Sequence, residues 1–355
     1  MGERTIIPFG PQHPVLPEPL HLDLIMEDEK VVGAVPSIGF VHRGLEKLVE
    51  KRDFNEMIYV IERICGICSF IHGQSYAQTL EGMMGVDIPP RAKYLRTIWA
   101  ELSRVHSHLL WLGLMADAYG FESLFMQIWR AREIILDILE ITAGHRVNTH
   151  LRAHETVLDL VCRLLKVIVK DIAEEAKTVT DVFVRDYSVQ KRTRGIGVVT
   201  YQEAIDLGAA GPTLRGSGVV QDMRTLGYAA YGDLNFEPIV EKDGDCYART
   251  VVRVREVYQS LDLIRQCIEK IPDGEVDMKI KGNPSGEYIS RMEQPRGQTF
   301  YYAKGNGTKY LERFRVRTPT FANIPTLLKI LPGADLADVP VLALTIDPCI
   351  SCTER

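Results

Sequence analysis

The chain has no stretch of the roughly 18 uninterrupted apolar residues that a membrane-spanning helix requires. Its opening, Met1 to Ile6, lacks the apolar core of a secretion signal, and Ile6 stands where a myristoylation start wants Ser or Thr. Excess positive charge is missing too. There are 42 Lys and Arg against 47 Asp and Glu, a formal charge of -5, which offers no broad basic field for nucleic acid or anionic lipid. Internal repeats, low-complexity tracts and flexible linkers are also missing. What remains is a 355-residue chain, 46% hydrophobic and 25% charged. That is the composition of an ordinary globular protein, long enough to bury a sizeable core. A cytoplasmic protein without a nucleic-acid partner is expected.

Apolar residues alternate at Leu20, Leu22 and Leu24, stop at Glu27-Asp28-Glu29-Lys30, and resume at Val31-Val32. Period two interrupted by a charged turn is a hairpin pattern, so residues 1–40 are expected to form a small sheet with the charge run as its solvated tip. The period then changes. After Pro89-Pro90, Leu95, Ile98, Leu102, Val105, Leu109 and Leu112 follow at three- and four-residue steps, and proline is well tolerated in a first helical turn. Residues 123–143 and 154–176 repeat that spacing, which makes 41–180 a bundle of long helices. The remainder, 181–355, reads as a loop-rich part that closes on the bundle. Glycines crowd the stretch from Arg194 to Gly244, a further helix pair is expected near 248–271, a small sheet over 274–322 and a short helix over 325–330. The expected fold class is mainly α with small β-sheets (α+β), one domain over 1–355.

Cysteine is the informative residue. Cys65, Cys68, Cys162, Cys246, Cys267, Cys349 and Cys352 make an odd count, which argues against a disulfide framework in a chain with no secretion signal. Four of them form two Cys-x-x-Cys clips. Two intervening residues let both sulfurs of a clip turn toward one point, and thiolates favour zinc, iron-sulfur clusters, copper(I) or nickel over hard cations. A structural zinc ribbon sets its clips about 15–20 residues apart, whereas here nearly the whole chain separates them. A fold that brings both ends of a chain to one centre is built around that centre, which favours a functional metal over a zinc staple, with a redox disulfide third. Cys162, Cys246 and Cys267 are too few and too scattered for a four-cysteine cluster. They are expected to be buried, inert thiols, so any redox chemistry needs a partner to carry its electrons.

The first clip lies in Arg63-Ile64-Cys65-Gly66-Ile67-Cys68-Ser69-Phe70-Ile71-His72 and the second in Asp347-Pro348-Cys349-Ile350-Ser351-Cys352. These segments resemble the hallmark R-x-C-G-x-C-x-x-x-H and D-P-C-x-x-C of nickel-iron hydrogenase large subunits. The similarity continues through Gly10-Pro11-Gln12-His13-Pro14, His42-Arg43-Gly44-Leu45-Glu46, Gly211 to Gly218, and Pro295-Arg296-Gly297. The opening motif and the short length look like the energy-converting, group 4 branch related to complex I, which includes ferredoxin-linked and carbon-monoxide-linked enzymes. By this resemblance Cys65 and Cys349 are terminal nickel ligands, while Cys68 and Cys352 bridge nickel to an iron that carries cyanide and carbon monoxide. His72 is then the histidine that tunes a bridging sulfur. Arg296, with Asp347 as its carboxylate partner, is the arginine over the open metal position. Thr320 is the hydroxyl that donates to a cyanide nitrogen, and Glu18, between two prolines, takes the proton from Cys349. The plain alternatives are a core histidine, a structural salt bridge, a turn residue and a loop glutamate.

The resemblance implies reversible heterolysis of dihydrogen, with Glu18, Arg296 and Cys349 as catalytic residues. Electrons would pass to a proximal cluster on a small iron-sulfur subunit and on to ferredoxin-like subunits, with no cluster on this chain. Membrane subunits that translocate ions would hold it at the inner face of the cell membrane. The pattern is broken at one place. Many uptake hydrogenases end the second clip with a histidine that helps a glutamate, here matching Glu46, to ligate magnesium; Arg355 stands there instead and is expected to pair with Glu46. Two rivals remain: a quinone-site subunit of a complex-I-like dehydrogenase, which shares the His13 loop but has generally lost the metal cysteines, and a zinc-stapled scaffold.

Overall fold

Alternation at the start of the chain becomes an antiparallel sheet of β1 (Arg4–Phe9), β2 (His21–Glu27) and β3 (Lys30–Ser37), in that order. The central strand buries Leu22, Leu24 and Met26 and turns its other residues half outward, as period two requires. Asp28 makes the hairpin turn at a φ of 55°, a left-handed conformation that a short polar side chain tolerates. The computed structural model describes residues 4–143, 155–278 and 280–355, of which 143 and 155–168 by backbone alone.

Three helices follow, α1 (Leu45–Lys51), α2 (Met57–Glu62) and α3 (Ser69–Met84). The bundle begins with α4 (Pro90–Ala118), which opens on its proline. It continues with α5 (Glu122–Ala143) and α6 (Glu155–Arg185). The six apolar residues that marked α4 in the sequence are at most 1% exposed. The helix is enclosed on nearly every side, because Glu101, Arg104, His106 and His108 are buried as well. Short helices α7 (Tyr187–Lys191), α8 (Tyr201–Asp206) and α9 (Pro212–Arg215) punctuate the glycine-rich stretch. The bundle is completed by α10 (Cys246–Lys270), started by Asp245, whose carboxylate accepts the Ala248 N–H at 2.7 Å. Helix α10 packs on α4 and α6, and α5 packs between α4 and α6.

The mainly α architecture with two small sheets is the one expected, with differences of extent. One long helix, α10, occupies the region where a pair was expected, because its buried face runs unbroken from Cys246 to Ile268. Helix α6 runs on to Arg185, past the expected end at 176. His154, where it was expected to start, and the side chain of Cys162 lie outside the described residues. Cys246 and Cys267 are buried free thiols.

The second sheet is β4 (Ser285–Gln294), β5 (Gly297–Asn306) and β6 (Leu311–Arg317), all antiparallel. Gln294 pairs with Gly297, so Pro295-Arg296 is a two-residue hairpin tip. Tips normally face water, but this one is buried, with Arg296 1% exposed. The last helices are α11 (Pro319–Ile330), α12 (Val339–Thr345) and α13 (Ile350–Glu354). Helix α11 starts at Pro319, earlier than expected, since Pro325 is carried inside it and the first-turn proline sets its beginning. A smaller apolar cluster gathers the four clip cysteines with Leu45, Phe54, Tyr76, Tyr301 and Phe314.

Candidate metal centre

Each clip crosses into the start of a helix. Cys65 precedes α3 and Cys68 is its N-cap; Cys349 is the N-cap of α13 and Cys352 lies in its first turn. All four are free thiols at most 1% exposed. Cys65 Sγ lies 3.4 Å from Cys349 Sγ, and Cys68 Sγ 3.6 Å from Cys352 Sγ. The two ends of the chain thus supply one sulfur cluster. Cys65 Sγ also accepts the N–H groups of Ile67 at 3.3 Å and Cys68 at 3.4 Å. Hydrogen bonds from Cys349, Cys352 and Cys68 hold its thiol well below the usual range, with Arg296 adding to the effect against burial. Burial pushes Cys352 well above that range, and the neighbouring sulfurs push it further. One thiolate is as much negative charge as four packed sulfurs hold by themselves. A soft cation removes that restriction, and the donor set fits one.

The residues singled out in the sequence mostly converge here. Arg296 Nε donates to the Asp347 carbonyl at 3.0 Å, Nη1 donates to Ser107 Oγ at 3.2 Å, and Nη2 forms an ion pair with Asp347 Oδ1 at 2.8 Å. The angle of that pair gives Nη2 no true hydrogen bond, and Asp347 Oδ2 has none either, so both remain for what the pocket holds. Asp347 sits at a φ of 55°, a strained turn next to a ligand cysteine. Thr320, in the first turn of α11, accepts the Cys349 N–H at 3.2 Å, which leaves its own hydroxyl proton to donate. Glu18 is half-buried and grips Ser351, accepting the backbone N–H at 2.9 Å and the hydroxyl. It shares an open hollow with Gln12 and His13. His13 itself accepts the Val15 N–H at 3.3 Å and stacks on Phe9, which makes it a turn-capping residue.

His72 Nε2 lies 3.2 Å from Cys352 Sγ, and Nδ1 lies 2.5 Å from Tyr301 Oη. Burial keeps Tyr301 protonated, raising it well above the usual phenol range, and depresses His72 to about 4. The phenol therefore donates to Nδ1 of a neutral ring, and Nε2 carries the proton that points to Cys352. Gln294 meets Nε2 at 3.1 Å through its amide nitrogen while its oxygen has no partner. Turning the amide over satisfies both. Sequence reasoning missed Tyr301, Gln294, Ser107 and Ser351 as site residues, since each is recruited across the fold.

It also undervalued Arg43, whose guanidinium donates to the carbonyls of Arg63 at 2.8 Å, Ile64 at 2.9 Å and Ser351 at 3.0 Å. It thereby ties one clip to the other. Arg355 Nε lies 2.9 Å from Glu46 Oε1, and Arg315 Nη1 lies 3.2 Å from Oε2. Both Glu46 oxygens are thus occupied by guanidinium groups.

Comparison with known proteins bears on this arrangement. Residues 43–117 match the nickel-dependent hydrogenase family, and residues 118–283 and 278–355 match the 49 Kd subunit of respiratory-chain NADH dehydrogenase. The chain is 37% identical to the membrane-bound hydrogenase subunit alpha of Pyrococcus furiosus, over 98% of this chain and 87% of that protein. It is 40% identical to the carbon monoxide-induced hydrogenase of Rhodospirillum rubrum, over 98% and 99%. The chain belongs to the energy-converting nickel-iron hydrogenase large-subunit family, the branch related to complex I. That relation is visible in a further relative, a subunit of the F420H2 dehydrogenase of Methanosarcina mazei, 34% identical over 100% of this chain and 98% of that one. In this family setting, the two clips fall in different matches, the early one in the hydrogenase segment and the late one in the 49 Kd segment.

Proposed function

We propose that this chain is the catalytic subunit of a membrane-associated hydrogenase that interconverts dihydrogen with protons and electrons. The observation that carries the reading is the convergence of four buried thiols from both ends of the chain on one pocket that also holds a buried guanidinium. Cys65, Cys68, Cys349 and Cys352 would hold a nickel-iron centre whose iron carries cyanide and carbon monoxide. When bound, that centre supplies the Lewis acidity and the electron storage that side chains lack.

The rest is done by the chain. Arg296, held on two sides by Asp347 and Ser107, presents a fixed positive charge over the sulfurs and orients a polarised substrate. Cys349 is the thiolate that accepts a proton, and Glu18 moves that proton outward, because its carboxylate grips Ser351 on one side and opens to the His13 hollow on the other. His72 steadies Cys352 with an N–H, and Thr320 offers a hydroxyl beside Cys349. The apolar residues packed around the cysteines keep bulk water out.

Electrons would leave through a proximal cluster on a small iron-sulfur subunit toward ferredoxin-like subunits, and membrane subunits would translocate ions. Among the described residues no helix is long and apolar enough to cross a membrane, so attachment at the inner face would run through those partners. Infrared spectra and metal analysis of anaerobically isolated protein from its native host test the reading. Stretches of iron-bound cyanide and carbon monoxide, with nickel and iron present, support it. Zinc alone, or no metal, would overturn it in favour of a scaffold or of the quinone-site reading that the 49 Kd match also favours.

A further inference from the structure

A second group of ionisable side chains lies in the bundle, away from the sulfur pocket. Three guanidinium groups, Arg104, Arg215 and Arg224, face four carboxyls, Glu101, Asp222, Glu256 and Glu293, none more than 2% exposed. The pairs are close: Arg215 lies 2.6 Å from Glu256, 2.7 Å from Glu293 and 3.3 Å from Asp222, and Arg224 lies 2.8 Å from Asp222 and 3.3 Å from Glu101. Arg104 is 3.3 Å from Glu101. The count leaves one negative charge unmatched, and an unmatched buried charge is costly enough that the group takes a proton instead.

Nearby cations do not change the balance. Arg253 donates to the carbonyls of Arg249 and Thr345 and lies over the Trp111 ring, its charge shared with Asp347. His108, 2.8 Å from Glu256, is pushed down by burial, and Arg317 on β6 donates to Gln298.

Geometry singles out the carboxyl that is compensated least. Glu101 has two guanidinium groups, the Ser260 hydroxyl at 2.6 Å and the Tyr231 hydroxyl. Asp222 has two guanidinium groups, and Glu256 has Arg215 and His108. Glu293 has only Arg215, shared with two other carboxyls, and the Met223 N–H at 3.1 Å.

We propose that this cluster is a proton-holding site, in which Glu293 carries one exchangeable proton that compensates charge changes in the neighbouring sulfur pocket. Burial first, and then Asp222, push its carboxyl up to about 7. Arg215 holds Glu256 well below the usual range in spite of burial. The link to the sulfur pocket is short. The next residue on β4, Gln294, meets His72, which meets Cys352. Arg104 donates to the carbonyls of both Glu293 and Gln294, so it couples the cluster to that strand. The charge count holds whichever metal the thiols bind, so the failure of this site and the failure of the hydrogenase reading are separate results.

Infrared difference spectra of the full chain, isolated from its host with the subunits it carries, test the proposal as pH is stepped through neutrality in light and heavy water. The expected result is a buried carboxylic acid C=O band that shifts in heavy water, is lost as pH rises, moves with isotopically heavy glutamate and is absent from Glu293→Gln. Absence of a titrating carboxyl band, a band that moves only with heavy aspartate, or one that persists in Glu293→Gln overturns it. If Glu293→Gln fails to accumulate, the labelled wild-type chain decides alone.

Discussion

The phenol of Tyr301 decides which nitrogen of His72 carries the proton, and with it the direction of the hydrogen bond to Cys352. Tyr301→Phe removes that donor and leaves a buried Nδ1 without a partner. An unfilled buried acceptor costs about 1–3 kcal/mol, so denaturant unfolding should show a loss of that order with little change in volume. His72 was legible from its place one helical turn after Cys68. Tyr301, 229 residues away, was visible only as one of a pair of aromatics on an alternating strand, because a strand pattern says which face a residue takes and not what it meets. Glu293 makes a second claim at this scale. Its folded-state carboxyl binds a proton more tightly than the unfolded one, from the ordinary 4.5 up to about 7. Stability from this group is therefore full below about 4.5 and is lost as pH rises through about 7. The difference in unfolding free energy between Glu293→Gln and wild type should move in favour of the variant across that window; a difference that is flat with pH contradicts it.

Among the elements, the β4–β5 hairpin carries the most unusual placement, since its tip delivers a charged residue into the interior. Two glycines permit this. Gly211 has a φ of 63°, and a Cβ there would lie 2.3 Å from the Arg296 carbonyl; a Cβ on Gly297, at a φ of 130°, would lie 2.5 Å from the Gly211 nitrogen. The backbones touch, so neither position has room for a side chain. Gly211→Ala is expected to push the tip outward, breaking the Arg296 contacts to Asp347 and Ser107. The variant should keep its helical circular dichroism and lose most activity, and a variant with full activity would show that the tip tolerates movement. Both glycines stood within motifs noticed in the sequence, yet their contact lay beyond it, because glycine advertises conformational freedom and not the neighbour that requires it. Helix α4 shows the same limit from the other side. Its apolar steps gave its extent nearly to the residue, while Glu101, Arg104, His106 and His108 read individually as solvated or ordinary positions. Only the packing of α9, α10 and β4 against it makes a buried charge cluster of them.

Over the whole molecule, the sulfur pocket is a closure between the chain's two ends. The cysteine clips were legible because each is a local pattern, and their distance in sequence already implied a fold built around a centre. The other fastenings were not legible, because they use backbone groups. Arg43 spans three carbonyls from both clips, and Glu354 accepts the N–H groups of Gly39 and Val41 at 2.5 and 2.6 Å. Those bonds hold 347–355 from one side, while the four thiols face each other on the other. A cation that satisfies the thiols therefore stabilises the closed end far more than it stabilises the bundle, whose core is independent of the cysteines. Cys352→Ser, or anaerobic chelation of the metal, should raise amide hydrogen exchange in α13 and around Gly39 to Arg43 while α4 and α10 keep their protection. Adding Arg43→Lys should deepen the effect, because an ammonium group lacks the planar fork that reaches several carbonyls at once. Simultaneous loss of protection in α4 and α10 would instead mean that the metal holds the whole fold, as a structural staple does.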